Sequence, residues 1–271
     1  AGMKDKQGIT RQWFSVHNGL KQPVRELGEL PPGVRVLQRL RNQRKLQRGS
    51  HSGNCFRIRL RSCSVLVGSE NWQQRVQQIA AVGVPNYFGP QRFGRQGDNV
   101  QQVANWFADE SRAPRSRNQR SLLLSSARSF IFNAVLSERV AQQSWNRALP
   151  GEELALSGST RTFAGTTATA AELQQRLDEF DIHPTGPLWG KGANKTSAQV
   201  AELEAGIAAR YPQLTEGLHR HGLSQERRPL RLQVCDLQSE LETDVLNLHF
   251  RLARGAYATA VLRELVNTEL S

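Results

Sequence analysis

The 271-residue sequence has no run of about 18 apolar residues, so nothing in it reads as a membrane-spanning helix. Cysteine is scarce. Cys55, Cys63 and Cys235 cannot all pair within the chain, and they show neither zinc spacing nor a C-x-x-C. They point to a reducing compartment, here the cytoplasm, and to no structural metal. The six histidines form no H-E-x-x-H and no metal triad. Walker A, G-x-S-x-G and dinucleotide fingerprints are missing, which removes P-loop, α/β-hydrolase and Rossmann chemistry from consideration. The chain opens Ala-Gly-Met-Lys-Asp-Lys without an apolar h-region, so no secretory leader is expected. Apolar residues make up 38%, low for a globular chain but above what a disordered chain carries.

Acidic residues are also thin. Lys plus Arg number 36 against 24 Asp plus Glu, a formal charge of +12, and arginine supplies 30 of the 36 cations. Leu30 to Ser69 holds no acid but carries Arg35, Arg39, Arg41, Arg44, Lys45, Arg48, Arg57, Arg59 and Arg61. A second acid-free stretch, Ser111 to Ser137, carries Arg112, Arg115, Arg117, Arg120 and Arg128. A basic solvated face would explain either stretch alone. Two such stretches on one basic chain favour a polyanion, because arginine grips phosphate with a planar fork and stacks on bases. RNA is only weakly favoured over DNA at this level, since no helix-turn-helix, zinc finger or RNP motif is visible.

The periodicity predicts a short strand at 11–16, alternation at 34–40 and a cleaner strand at 55–61. In the last, Phe56, Ile58 and Leu60 share one face and three arginines the other. Helices are predicted over 70–81, 99–109, 120–143, 169–180 with a Thr169/Glu172 capping box, and 197–210 with a Ser197 cap. Residues 83–90 are rich in turn formers, 149–163 read as irregular strands, and 184–194 as a Gly/Pro loop. His219 and His221 fall in a charged segment expected to be exposed. Beyond Pro229 the pattern returns to strands, at 230–234 and 246–252, and closes in an amphipathic helix at 257–265. A sheet domain built from both ends with a helical insertion is one economical organisation. Two domains in series is the alternative.

Asp5, in Gly2-Met3-Lys4-Asp5-Lys6, sits between two cations that would keep its carboxylate ionised, as a nucleophile requires. Composition alone reads it as ordinary surface charge. The segment Ala1-Gly2-Met3-Lys4-Asp5-Lys6-Gln7-Gly8-Ile9-Thr10-Arg11-Gln12-Trp13, however, resembles the signature of the TruD family of tRNA pseudouridine synthases. Three further segments agree in order: Arg44-Lys45-Leu46 with Gly53-Asn54-Cys55-Phe56, Val84 to Gly94, and Gly255 to Leu265.

The resemblance implies an α+β fold. Its mixed or antiparallel sheet forms a catalytic domain of pseudouridine synthase type (1–82 plus 230–271), and a mainly helical α/β inserted domain spans 83–229. It implies Asp5 as the catalytic nucleophile, Asn54 holding the target uridine, and Phe56 and Tyr257 as aromatic rings against the substrate. Arg44, Lys45, Arg115 and Arg117 are candidate RNA-backbone contacts. The family's catalytic domain begins upstream of the Gly-x-Lys-Asp element, so an N-terminal part of it is expected to be missing here. The implied activity is isomerisation of a tRNA uridine, at U13, to pseudouridine. The partner would be tRNA, with no membrane, no cofactor and a monomeric protein. A non-catalytic RNA-binding protein on a synthase scaffold is the alternative. A nuclease would want clustered acids or paired histidines, and neither is seen.

Overall fold

A computed structural model describes residues 8–17, 28–47, 49–63 and 72–265. The chain divides into two compact units, Ala1–Asn54 and Cys55–Ser271.

The smaller unit is irregular over its described residues. Residues 11–16 form no strand, and neither do 34–40. A tight turn places the Val34 amide on the Pro31 carbonyl at 3.0 Å, and the Leu46 amide donates to Ser15 Oγ at 3.1 Å. Ile9, Phe14, Val16, Leu37 and Leu40 are exposed. Alternation supplies a face, but a strand exists only where backbone donors and acceptors find a ladder. Among the described residues these segments have none.

The larger unit contains a three-stranded sheet in the order β1 (Gly53–Arg61), β9 (Val245–Ala253), β8 (Cys235–Glu242). The expected alternation of β1 holds: Phe56, Ile58 and Leu60 are half-buried, and Cys55, Arg57, Arg59 and Arg61 are exposed. On β9, Leu246, Leu248, Phe250 and Leu252 are buried. β8 and β9 form an antiparallel hairpin with a register shift between Cys235 and Gln238. The helices α1 (Trp72–Val82) and α7 (Ala258–Leu265) pack together and contribute Ile79, Val261 and Leu265 to the core under this sheet. Nearby, β2 (Val84–Pro85) pairs antiparallel with β7 (Arg231–Leu232).

A second, four-stranded sheet is antiparallel throughout. Its order is β4 (Thr162–Ala164), β3 (Glu153–Leu156), β5 (Ile182–Leu188), β6 (Glu226–Pro229). β5 corrects the sequence reading, which made 184–194 a loop. Pro184 lies on this interior strand without an N–H to donate, and its carbonyl accepts from the Leu230 amide, just beyond β6, at 2.8 Å. Gly186 is required by close packing: a Cβ there would lie 2.8 Å from Leu230 Cδ2 and 3.1 Å from Phe132 Cε2.

Helices cover this sheet. α2 (Asn99–Ala108), α3 (Arg117–Ala141) and α6 (Pro212–Arg220) share a core of Val103, Trp106, Phe107, Leu123, Ile131 and Leu218. The sequence reading missed α6, although Pro212 at its first turn is a start signal. Its consequence is that His221 is not in an open segment but half-buried, with ring centroids 4.5 Å from Trp106 and 5.1 Å from Phe107. α4 (Ala170–Asp178) begins with the expected Thr169/Glu172 capping box. α5 (Ala198–Ala209) starts at Ser197, whose side chain makes no capping hydrogen bond.

Two buried ion pairs pin this part. Arg139 reaches Glu152 at 2.9 Å, and Arg227 reaches Glu204 at 2.7 Å. Among the described residues no helix is long and apolar enough to cross a membrane, and no group of three or more His, Cys, Asp or Glu could hold a metal ion.

Candidate functional site

Asp5 lies outside the described residues. Asn54 and Phe56 stand two positions apart on β1, the spacing that puts side chains on one face of a strand. The Phe56 ring stacks on Phe250 of β9, with centroids 5.4 Å apart and planes 27° apart. Only half-buried, it rests on the core while keeping part of its ring accessible. Arg57 and Arg59 line a shallow groove on the other face with Asn247 and His249.

Tyr257 sits just before α7, and its surroundings are built by the segment between β2 and α2. Asn86 is anchored by a backbone bond to the Leu230 carbonyl and a side-chain bond to the Pro229 carbonyl, each 2.8 Å. The next turn carries Tyr87 and Phe88 inward, both buried. Phe88 packs edge-on against Phe132 of α3 at 5.4 Å and against Tyr257 at 6.2 Å. A single 3-10 turn, Pro90–Phe93, follows and delivers Arg92. Arg92 Nη2 donates to the Tyr257 hydroxyl at 2.7 Å and Nη1 to Ser125 Oγ at 3.0 Å. The hydroxyl that distinguishes this tyrosine from phenylalanine therefore has a charged donor.

Arg228 approaches the same ring from β6. Its guanidinium carbon lies 4.2 Å from the Phe88 centroid, and that of Arg92 lies 5.3 Å away. Arg228 Nη2 donates to Asn86 Oδ1 at 2.8 Å. Burial pulls the Arg228 pKa down to about 10, with the Arg92 charge pushing the same way and Tyr257 opposing. Phe56 belongs to the core beneath the three-stranded sheet, whereas Tyr257 belongs to the cluster around Phe88, Phe132 and Leu230.

The basic candidates are at the surface. Arg44 and Lys45 are exposed. Arg115 and Arg117 are exposed at the start of α3, where the first turn contains no acid. Cations at a helix N-terminus oppose the backbone dipole, so this end gains from an external anion. Sequence reading missed the Arg92–Arg228 pairing. Arg92 was visible within the Val84–Gly94 segment, but its neighbour comes from a distant strand, and no spacing rule connects them.

Comparison with known proteins agrees with the sequence signatures. A family model described as tRNA pseudouridine synthase D (TruD) matches residues 1–113 and 109–265. A tRNA pseudouridine synthase D from Nitrosococcus oceani is 48% identical over 272 residues, covering 99% of this chain and 75% of the relative. One from Pseudomonas putida (strain F1) is 45% identical over 269 residues, covering 98% of this chain and 75% of the relative. Among solved structures, a crystal structure presented as a TruD protein from Methanosarcina mazei superposes with a TM-score of 0.64. That match is 19% identical and covers 84% of this chain and 72% of that one, a likeness of fold.

Proposed function

The chain belongs to the TruD family of tRNA pseudouridine synthases, and we propose that it converts one uridine of tRNA, U13, to pseudouridine through the carboxylate of Asp5. The observation that carries this reading is the family match beginning at residue 1, which takes in the Gly2-Met3-Lys4-Asp5 element. The reaction breaks the bond between C1′ and N1, turns the uracil and joins C1′ to C5. C5 then gives up its proton and N1 gains one. Nothing is oxidised or hydrolysed overall, so the reaction calls for a nucleophile and a base rather than a redox cofactor. In this proposal Asp5 supplies the nucleophile and, once freed, is the candidate base for the C5 proton.

The target base must leave its stack to reach a carboxylate, at a cost of a few kcal/mol. Stacking on Phe56 or Tyr257 would return about 1–3 kcal/mol, and Asn54 would hold the uracil edge. The proposed catalytic domain is 1–82 plus 230–271, with 83–229 inserted. Arg44, Lys45, Arg115 and Arg117 would contact the tRNA backbone. The protein is proposed to act as a cytoplasmic monomer.

The test is pseudouridine mapping of a tRNA transcript after incubation with wild-type protein and with Asp5→Asn. The expected result is modification at U13 by the wild type and none by the variant, with tRNA affinity retained. Near wild-type conversion by Asp5→Asn removes Asp5 as nucleophile. Binding without conversion by the wild type favours a non-catalytic RNA-binding protein.

A further inference from the structure

Most buried arginines of the larger unit are neutralised inside the fold. Arg139 has Glu152, Arg227 has Glu204, and Arg128 has Glu226 at 3.3 Å. Arg231 is sealed, 4% exposed, and donates to the Leu177 and Ile182 carbonyls. Arg92 and Arg228 follow neither pattern. Both are intermediate in exposure rather than sealed, and they share one aromatic ring. Among the described residues no carboxylate lies within ion-pair distance of either. Their partners are neutral: Ser125, Tyr257, Asn86 and the Gly255 carbonyl. The Nε–H of both is buried and makes no hydrogen bond within the protein.

Two like charges on one ring, partly stripped of water and without a counter-charge, are costly in the free protein. The cost is recovered when an anion arrives. A guanidinium can share its Nη–H donors with phosphate oxygens, and both groups are held against the Phe88 face. The cluster is also built to stay in place. Asn133 brackets the Phe88 backbone, and Asn86 ties Arg228 to the segment that bears Arg92. Arg231 also lacks a carboxylate partner, but it is sealed from solvent, which Arg92 and Arg228 are not.

We propose that Arg92 and Arg228 together bind a backbone phosphate of tRNA beside Tyr257. This inference rests on the tRNA reading above and adds to it a fixed anchor for the strand entering next to the target. The site is distinct from the exposed basic stretches. Those are exposed cations, whereas this is a pair of guanidinium groups held on one ring.

The experiment measures binding of a tRNA transcript by fluorescence anisotropy across a potassium chloride series, with the full chain. The proteins are wild type, Arg92→Gln, Arg228→Gln, and the charge-retaining Arg92→Lys and Arg228→Lys. Each Gln variant should weaken binding about tenfold and lower the slope of log affinity against log salt, by up to about one unit if a single phosphate contact is lost. Each Lys variant should keep the slope yet bind more weakly, because the fork is gone while the charge remains. Folded Gln variants with wild-type affinity and slope overturn the site. If the Gln variants fail to fold, the Lys variants decide, and wild-type affinity in both overturns it. A wild-type protein that binds with the expected slope but forms no pseudouridine defeats the catalytic reading and leaves this site standing.

Discussion

The side-chain amide of Asn133 completes a two-bond bracket with the backbone of Phe88: its Oδ1 accepts from the Phe88 N–H and its Nδ2 donates to the Phe88 carbonyl, both at 3.0 Å. A single residue of α3 thus does what a neighbouring strand would do, holding the ring that carries both arginines. Asn133→Ala strands a donor and an acceptor at a buried residue. The expected loss is about 2 kcal/mol or more, since each unsatisfied buried group costs about 1–3 kcal/mol, read from urea denaturation. The same variant should weaken tRNA binding.

Glu152 is the buried counter-charge of Arg139, which also donates to the Ser144 and Arg147 carbonyls. Burial raises the Glu152 pKa, with Arg139 pulling it back. Glu152→Ala leaves the guanidinium buried and unpaired, and should cost about 3–5 kcal/mol in chemical denaturation. Replacing both residues, as Arg139→Met with Glu152→Leu, should cost much less. Equal losses would show that the pair's hydrogen bonds, not its charge balance, dominate.

His183 should make the fold acid-sensitive. It is 6% exposed, its Nδ1 accepts from Arg231 Nε at 3.3 Å, and its Nε2 lies 3.5 Å from Ser157 Oγ. Burial first, then the Arg231 charge, lowers its pKa to about 4, against a smaller opposing pull from Asp181. Between about pH 6.5 and pH 4 the unfolded chain therefore binds a proton that the folded chain refuses. The contribution is complete above the unfolded value of about 6.5 and is lost as pH falls through this window, about 3 kcal/mol in all. Denaturation midpoints from pH 7 to pH 4 should fall in the wild type and fall less in His183→Gln.

Charge reversal at the start of α3 tests the surface contact. Arg115→Glu with Arg117→Glu should leave the melting temperature nearly unchanged, since both side chains are exposed. Affinity for tRNA should drop and its dependence on salt should become shallower. An unaltered salt dependence would place the RNA elsewhere.

Much of the architecture was legible locally. Thr169 and Glu172 announce α4 because a capping box is complete within four residues. Phe56, Ile58 and Leu60 announce β1 because one face is core. β5 was hidden because prolines normally mark loops, and only pairing with β3 and β6 shows where their missing donors are not needed. β8 was missed although Cys235, Leu237 and Leu241 alternate on its half-buried side, because the polar Ser239 interrupts the apolar series. The exposed segments at 11–16 and 34–40 show the converse, a pattern without a ladder. The Arg92–Arg228 pairing is tertiary throughout, and Asp5, the residue read most directly from its motif, falls outside the described residues.

The short ladder of Val84 with Leu232 and Pro85 with Arg231 sets the chain's exit and its re-entry side by side. Everything between departs and comes home through one gateway. A change of length in a surface loop of that excursion, one that spares its contacts with Arg231 and Tyr257, would leave the two paired ends in place and so need not shift the register of the hairpin that follows.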